Sequence, residues 1–173
     1  MGMDGWKKEL KNYAKYITDK IEVEKLSIKN YISTENMLPN FAGITVANNL
    51  PKEKKVNKFE QGDVLISNIR PYFKKVWKAE FSGGASNDVL IIRRISDKIN
   101  LEYFYYILAN DSFIDYVVST SKGTKMPRGD KKAIMKYLVC CPKLEFQKKV
   151  AKILTDLDEK IKLNNEINNN LLF

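Results

Sequence analysis

Apolar positions recur along the chain with periods that change from segment to segment. Between Trp6 and Ile21 they follow steps of four, three, four and four residues, at Trp6, Leu10, Tyr13, Ile17 and Ile21. This spacing places them on one face and predicts an amphipathic helix. The following segment, Ile32–Leu50, is rich in Ser, Thr and Asn. We predict that it forms a loop, with a short strand at Ile44–Ala47.

The middle of the chain has the pattern of strands. Three stretches stand out: Val64–Ile66 after a Gly-Asp turn signal, Val76–Phe81 with a moderate alternation, and Val89–Ile92. The last is a continuous apolar run, which is typical of a strand buried on both faces. Ser82–Asn87, between the second and third stretches, contains two glycines. We predict a flexible connection whose backbone can approach a ligand closely.

The C-terminal part predicts helices around one more strand. Leu101–Ser119 has a helical pattern that is split by the capping signal Asn110-Asp111-Ser112. A basic loop over Ser121–Lys132 and a short strand at Tyr137–Cys141 follow. We therefore expect an α/β fold of the α+β kind, with a small mixed or antiparallel sheet in a globular domain at residues 1–142. A long C-terminal coiled-coil helix, residues 143–173, follows as an arm.

The arm carries a heptad pattern without Gly or Pro. Its candidate dimerisation seam alternates steps of four and three, at Val150, Leu154, Leu157, Ile161, Asn164, Asn168 and Leu171. This is the spacing of a coiled-coil seam, in which Asn at a core position fixes register and partner number. A helix packed on its own domain is the alternative. If two chains pair through the arm, the globular domains are related by a two-fold axis. Should these domains bind nucleic acid, the pair would read two separated half-sites of a duplex.

Composition restricts the chemistry that this chain can perform. It has 30 Lys and Arg against 21 Asp and Glu, a net charge of +9, and no His. The absence of His excludes His-containing metal sites and Ser-His-Asp triads. The two cysteines, Cys140 and Cys141, are adjacent and predict no disulfide framework, so we expect a cytoplasmic, reduced setting. No apolar run approaches the roughly 20 residues of a membrane span, and the charge favours an anionic partner.

Binding motifs are more evident than catalytic ones. Phosphate loops, dinucleotide-binding glycine motifs and a convergent acidic cluster are absent from the sequence, which disfavours a stand-alone nuclease. Two basic segments remain, Arg70–Lys75 and Lys122–Lys132, where cations can neutralise phosphates and Asn, Ser and Arg can read base edges. We expect Tyr72 and Phe73 to hold the first segment in place and Trp77 to lie in the core. The candidate DNA-binding residues are Ser67, Asn68, Arg70, Tyr72, Lys74, Lys75, Ser86, Asn87, Lys122, Lys125, Arg128 and Lys131.

Several segments, in this order, resemble the target recognition domain of the DNA specificity subunits of type I restriction–modification systems. They are Tyr31–Asn36, Gly62–Trp77 and Gly83–Leu90, and Pro142–Gln147 running into Ile153–Ile161 resembles the family's junction with its spacer helix. The resemblance implies a non-catalytic reader of double-stranded DNA. It also implies methyltransferase subunits that use S-adenosylmethionine and, in some members, a motor–nuclease subunit. This chain itself is expected to carry no cofactor.

The chain departs from the family pattern in one respect. Family members carry two recognition domains and two spacer helices, whereas this sequence has one of each. We therefore expect a half-size subunit that acts as a homodimer on a bipartite palindromic site. The alternative is a dimerising adaptor or decoy that binds modification subunits without productive DNA reading.

Overall fold

The computed structural model describes residues 7–171, with side chains described as far as residue 168. Its strands are β1 (Lys7–Glu9), β2 (Ala14–Tyr16), β3 (Lys20–Glu22), β4 (Tyr31–Ile32), β5 (Lys55–Phe59), β6 (Val64–Ser67), β7 (Val76–Lys78), β8 (Gly83–Ala85), β9 (Val89–Arg94) and β10 (Leu138–Cys140). Its helices are α1 (Leu101–Leu108), α2 (Asp111–Ser119), α3 (Lys131–Ile134) and α4 (Leu144–Leu171).

The strands form two four-stranded sheets and one isolated pair. The central sheet has the order β2-β9-β6-β7 and is antiparallel throughout. The second sheet has the order β3-β5-β8-β4, and its β4–β8 pair is parallel. Strands β1 and β10 form the isolated antiparallel pair. The mixed and antiparallel sheets of the α+β expectation are therefore confirmed.

The central sheet lies between two hydrophobic cores. Val64 and Ile66 on β6 pack in a cluster with Phe104 and Phe113 of helices α1 and α2. Leu65, which points to the opposite face, packs with residues of the second sheet. Because side chains alternate between faces along a strand, a strand covered on both sides must be apolar at every position. This explains the continuous apolar runs in β6 and β9.

The predicted helix over Trp6–Ile21 is wrong for the described residues, and Trp6 itself lies outside them. Residues 7–21 form β1, a single 3₁₀ turn, β2 and the start of β3. The apolar positions are buried as expected, with Leu10 and Tyr13 in the first core cluster. Ala14 and Tyr16, however, pair with Arg94 and Ile92 of β9. Hydrogen bonding along the edge of the central sheet overrides the local helical period.

Two further predictions about loops need correction. The expected strand at Ile44–Ala47 is limited to an isolated bridge between Met37 and Ile44. The expected flexible connection at Ser82–Asn87 instead contains β8, whose three residues are buried. A Cβ on Gly83 would lie 2.0 Å from the Asn30 carbonyl oxygen. Glycine is therefore required here for close packing inside a sheet, and not for a mobile backbone.

The predicted helices of the C-terminal half are confirmed. The split at Asn110 separates α1 from α2, and the Asn110 side chain accepts a hydrogen bond of 2.9 Å from the Ser112 amide. The last helix, α4, runs from Leu144 to Leu171. Its first half packs on α1, because Gln147 and Ala151 are buried there. None of the helices in residues 7–171 combines the length and apolar character that crossing a bilayer requires.

Candidate nucleic-acid interface

The first basic segment, Arg70–Lys75, forms a rigid crest that we call the cationic ridge. Pro71–Phe73 is a single 3₁₀ turn, and the residues that flank it, Arg70 and Lys74, have left-handed backbones with φ of 48° and 56°. Left-handed backbone is unfavourable for residues other than glycine and persists where surrounding contacts enforce it. The ridge is therefore held in a specific, strained conformation.

A neighbouring loop braces the ridge from one side. The amides of Asn40 and Phe41 donate hydrogen bonds of 3.0 and 2.9 Å to the carbonyls of Phe73 and Lys74. Asn40 and Phe41 also have left-handed backbones. Among residues 7–171, every non-glycine residue with positive φ thus lies either in the ridge or in this brace. Concentrated backbone strain is a common property of functional sites.

The second basic segment, Lys122–Lys132, is the basic loop, and it lies directly beside the ridge. The Arg70 amide donates a 2.9 Å hydrogen bond to the Pro127 carbonyl, and the Gly129 amide donates one of 3.3 Å to the Asn68 carbonyl. Ile69 and Arg128 form an antiparallel bridge. The fold therefore joins two segments that are far apart in the sequence into one cationic surface.

Ion pairs within the chain already occupy several of the predicted DNA-binding cations. Lys74 pairs with Asp111 at 2.8 Å, Lys122 with Asp130 at 2.7 Å, and Arg128 with Asp88 at 3.1 Å. The Lys75 ammonium donates a 2.6 Å hydrogen bond to the Thr34 carbonyl. Exposed ion pairs contribute little to stability, so these cations can exchange partners when a polyanion arrives.

Three predicted cations have exposed and unengaged charged groups. Within the described part of the chain, the side chains of Arg70, Lys125 and Lys131 form no ion pair and no hydrogen bond. They lie on both segments of the joined surface. Unpaired cations on a preformed surface favour phosphate binding, since contact with phosphates releases condensed counterions.

Asp130 holds the end of the basic loop against helix α3. Its carboxylate caps the helix by accepting hydrogen bonds from the amides of Lys132 and Ala133, at 2.9 and 3.1 Å. The hydrogen bond from Lys122, followed by these two amides, lowers the pKa of Asp130 to about 2. A carboxylate with several donors is stabilised in its charged form. Asp130 therefore stays ionised at any ordinary pH.

The predicted polar base readers differ in how accessible they are. Ser67 is buried, and its hydroxyl donates a 3.0 Å hydrogen bond to the Ile69 carbonyl, so it supports the start of the ridge. Asn68 is half-buried at the junction with the basic loop, and its Oδ1 has no hydrogen-bond partner among the described residues. Ser86 is half-buried, whereas Asn87 is exposed and accepts a 3.2 Å hydrogen bond from Lys20.

Sequence reasoning missed a polar cleft next to the ridge. Its volume is about 280 Å³, and its lining includes Glu35, Asn48, Asn49 and Ser86. Buried Asn36 shapes it by donating to the carbonyls of Tyr31 and Thr45. The contact from Lys75 to Thr34 links the cleft to the ridge. Adjacent Asn48 and Asn49 in a segment already predicted as a loop were the available signal, since amides can pair with base edges.

The predicted dimerisation seam on α4 divides into a covered and an exposed part. Val150 and Leu154 are half-buried. Leu157 and Ile161 are 50% and 59% exposed. Asn164 and Asn168 are exposed too, and the side chain of Leu171 lies outside the described residues. Two further apolar residues of α4, Phe146 and Ile153, are exposed but were not part of the predicted seam. Together with the exposed apolar residues of the seam they form an apolar stripe along the helix.

Fold and surface together define a class of protein: a basic α+β domain with a preformed cationic surface and a helical arm. The chain belongs to the family of type I restriction modification DNA specificity domains, which residues 6–172 match. This confirms the resemblance that the sequence motifs indicated.

Individual relatives agree with this assignment. The chain is 25% identical to the type I restriction enzyme HindI specificity subunit of Haemophilus influenzae, over 98% of this chain and 39% of that protein. It is 28% identical to the MjaVIII specificity subunit of Methanocaldococcus jannaschii, over 87% of this chain and 35% of the relative. The chain thus spans less than half the length of these two relatives. Their names, which denote specificity subunits, agree with the expectation of a reader and not an enzyme.

A solved structure has the same fold. The HsdS subunit from Thermoanaerobacter tengcongensis superposes with a TM-score of 0.71 at 17% identity, covering 93% of this chain and 44% of that one. At this identity the likeness concerns the fold. It supports the arrangement of two sheets and a long C-terminal helix described above.

Proposed function

We propose that this chain is the DNA-reading element of a type I restriction–modification assembly, in which partner subunits methylate adenine. The observation that carries the proposal is the joining of the cationic ridge and the basic loop by backbone hydrogen bonds. Together they present unengaged Arg70, Lys125 and Lys131. Phosphate contacts position such a protein on duplex DNA, and polar groups beside them read the bases.

The proposal assigns different roles to the predicted DNA-binding residues. Arg70, Lys125 and Lys131 contact phosphates directly, and Tyr72 contacts the DNA next to Arg70. The paired cations Lys74, Lys75, Lys122 and Arg128 exchange their partners on the protein for phosphates, while Ser67 positions the ridge backbone. Asn68, Ser86 and Asn87 border the surface and are the candidate base readers, as are the amides in the polar cleft.

The proposal includes pairing of two chains through the arm. The exposed stripe that contains Leu157 and Ile161 supports it, because an apolar helix face favours a partner that removes it from water. A symmetric pair would present two reading surfaces to a bipartite palindromic site. The globular part through residue 142 acts as the reader in this arrangement, and the helix after it sets the distance between readers.

The test combines the chain with its methyltransferase subunits and maps adenine methylation by sequencing. Reversing charge with Arg70→Glu, Lys125→Glu and Lys131→Glu should reduce selective methylation by at least about 100-fold, since three phosphate contacts are replaced by repulsion. The matched control reverses three exposed lysines elsewhere, Lys8, Lys15 and Lys98. This variant undergoes the same change in net charge, but its three lysines lie outside the ridge and the basic loop, so it should retain most of the activity.

The same experiment decides between the reader and the dimerising adaptor. In both cases the reversed variant should still assemble with the modification subunits, which size-exclusion chromatography measures. A reader loses selective methylation when the charges are reversed. An adaptor would show no selectivity in the wild-type assembly. Equal loss in the control variant would contradict the assignment of this surface.

A further inference from the structure

Two aromatic rings stand at the top of the cationic ridge and are not buried in any core. Tyr72 and Phe73 remain 48% and 42% exposed, and their ring centroids are 4.8 Å apart. The aromatic residues Phe59 and Trp77, in contrast, are buried. An exposed pair of large rings costs free energy in water, so such a pair is a candidate contact surface.

The backbone that carries the two rings is fixed on both sides. Arg70 and Lys74 close the turn on either side with left-handed conformations. Hydrogen bonds from Asn40 and Phe41 fix the carbonyls of Phe73 and Lys74, and the Arg70 amide is fixed by Pro127. The rings are therefore presented on a rigid support. Contacts made by such a support require little additional ordering on binding.

The charges around the rings identify the partner as polyanionic. Arg70 is exposed and unengaged, and the Lys75 ammonium lies 5.9 Å from the centroid of the Phe73 ring. Lys74 completes the group, although Asp111 pairs with it in the free chain. Duplex DNA supplies both complements at once, because phosphates flank its stacked bases. Aromatic side chains stack on bases, and apolar wedges can enter base steps and unstack them.

We infer that Tyr72 and Phe73 insert at one base step of the bound DNA and stack on an exposed base face. The inference rests on the proposed function and adds a mode of contact to it. It departs from the expectation that the two rings only hold the ridge in place. The cations of the ridge would bind the phosphates on either side of this step. The two rings would take the place of the stacking contact between its two base pairs.

The experiment uses the full chain assembled with its methyltransferase subunits and duplexes that contain the methylated sequence. The fluorescent base 2-aminopurine, which brightens when it is unstacked, replaces each adenine of the site and its flanks in turn, apart from the methylated ones. Wild-type protein should raise the fluorescence at one such position. Tyr72→Ala/Phe73→Ala should abolish this rise and weaken binding roughly 5- to 150-fold. The salt dependence of binding should stay unchanged, since no phosphate contact is removed.

A second measurement on the wild-type assembly keeps the inference testable if the double variant fails to fold, which circular dichroism would reveal. Duplexes carrying 5-iodouracil at each thymine are irradiated, and the cross-linked peptide is identified by mass spectrometry. Cross-links to Tyr72 or Phe73 are expected. Cross-links confined to other residues would overturn the inference.

The outcomes separate this inference from the function on which it rests. Selective methylation without any fluorescence rise, or with a rise that persists in the double variant, overturns the aromatic insertion and leaves the reader intact. Absence of selective methylation by the wild-type assembly overturns the proposed function and the inference with it.

Discussion

The cationic ridge and the distal arm, residues 157–168 of α4, are both exposed, but they differ in what holds them. Hydrogen bonds from two neighbouring segments fix the backbone of the ridge, through Asn40, Phe41 and Pro127. The distal arm is a single helix whose side chains are exposed, including the apolar residues Leu157 and Ile161. Isolated short helices are only marginally stable in water. Under the proposed function, the reading surface is therefore complete within one chain, whereas the arm would be completed by association with a second chain.

The proximal arm, residues 144–156, shows how the two regions are connected. Fully buried Gln147 accepts a 2.8 Å hydrogen bond from the Asn100 amide and directs its own amide to the carbonyls of Lys98 and Pro142. At the start of the distal arm, Tyr106 donates a 2.8 Å hydrogen bond to Asp158. These contacts fix the direction in which the distal arm leaves the domain. A rigid reader on a fixed helix is what a defined distance between two reading surfaces requires.

The largest expected effect comes from breaking the arm. Leu157→Asp with Ile161→Asp should convert dimers to monomers, because dimerisation would bury two unpaired carboxylates from each chain. Light scattering on the purified chain measures the change. DNA contact by the ridge should be weakened only through the loss of the second copy.

The matched control is Lys162→Glu, which changes the net charge by the same amount on another side of the helix. It should remain dimeric. Dimers that persist in the Leu157→Asp/Ile161→Asp variant would show that the exposed stripe is not the contact between chains.

A smaller effect, on stability, should follow from Gln147→Leu. Leucine cannot replace the hydrogen bonds to Asn100, Lys98 and Pro142, so buried polar groups lose their partners. We expect the free energy of unfolding to fall by about 1–3 kcal/mol. Urea denaturation monitored by circular dichroism measures it.

The control for this prediction is the exposed neighbour, Lys148→Leu, which should change stability by less than about 0.5 kcal/mol. If both variants unfold at the same urea concentration, the buried amide does not secure the arm. The contrast between a fixed proximal arm and a largely exposed distal arm would then have no energetic basis.

The elements that sequence could predict are those with local causes. Helix α4 has a continuous apolar period with no Gly or Pro, and the break between α1 and α2 follows from the capping side chain of Asn110. Residues 7–21 show the same helical period and nevertheless form strands. The difference is the partner: β9 offers a sheet edge to Ala14–Tyr16, and no local pattern records that edge.

The sequence predicted the cations of the candidate site, but not how the fold brings them together. The ridge and the basic loop were both visible as clusters of cations. Their union depends on the Ile69–Arg128 bridge, and the brace at Asn40 and Phe41 depends on backbone conformations that side-chain patterns do not reveal. Ion pairs between residues that are far apart in the sequence also decide which cations are free, as the pairing of Lys74 with Asp111 shows.

The smallest expected effect concerns the charge that holds the basic loop beside the ridge. The pKa of Asp130 is lowered to about 2, so its stabilising charge is fully present above the ordinary value of 3.8 and is lost as the pH falls through about 2. Between pH 5 and 3, the amide signals of Lys132 and Ala133 in nuclear magnetic resonance spectra should therefore shift by only about a tenth of their full titration. An ordinary carboxyl group would complete most of its titration over this range. Lys122→Ala removes the largest cause of the lowered pKa and should move the midpoint upward, whereas an unchanged midpoint would mean that the ion pair does not secure the loop.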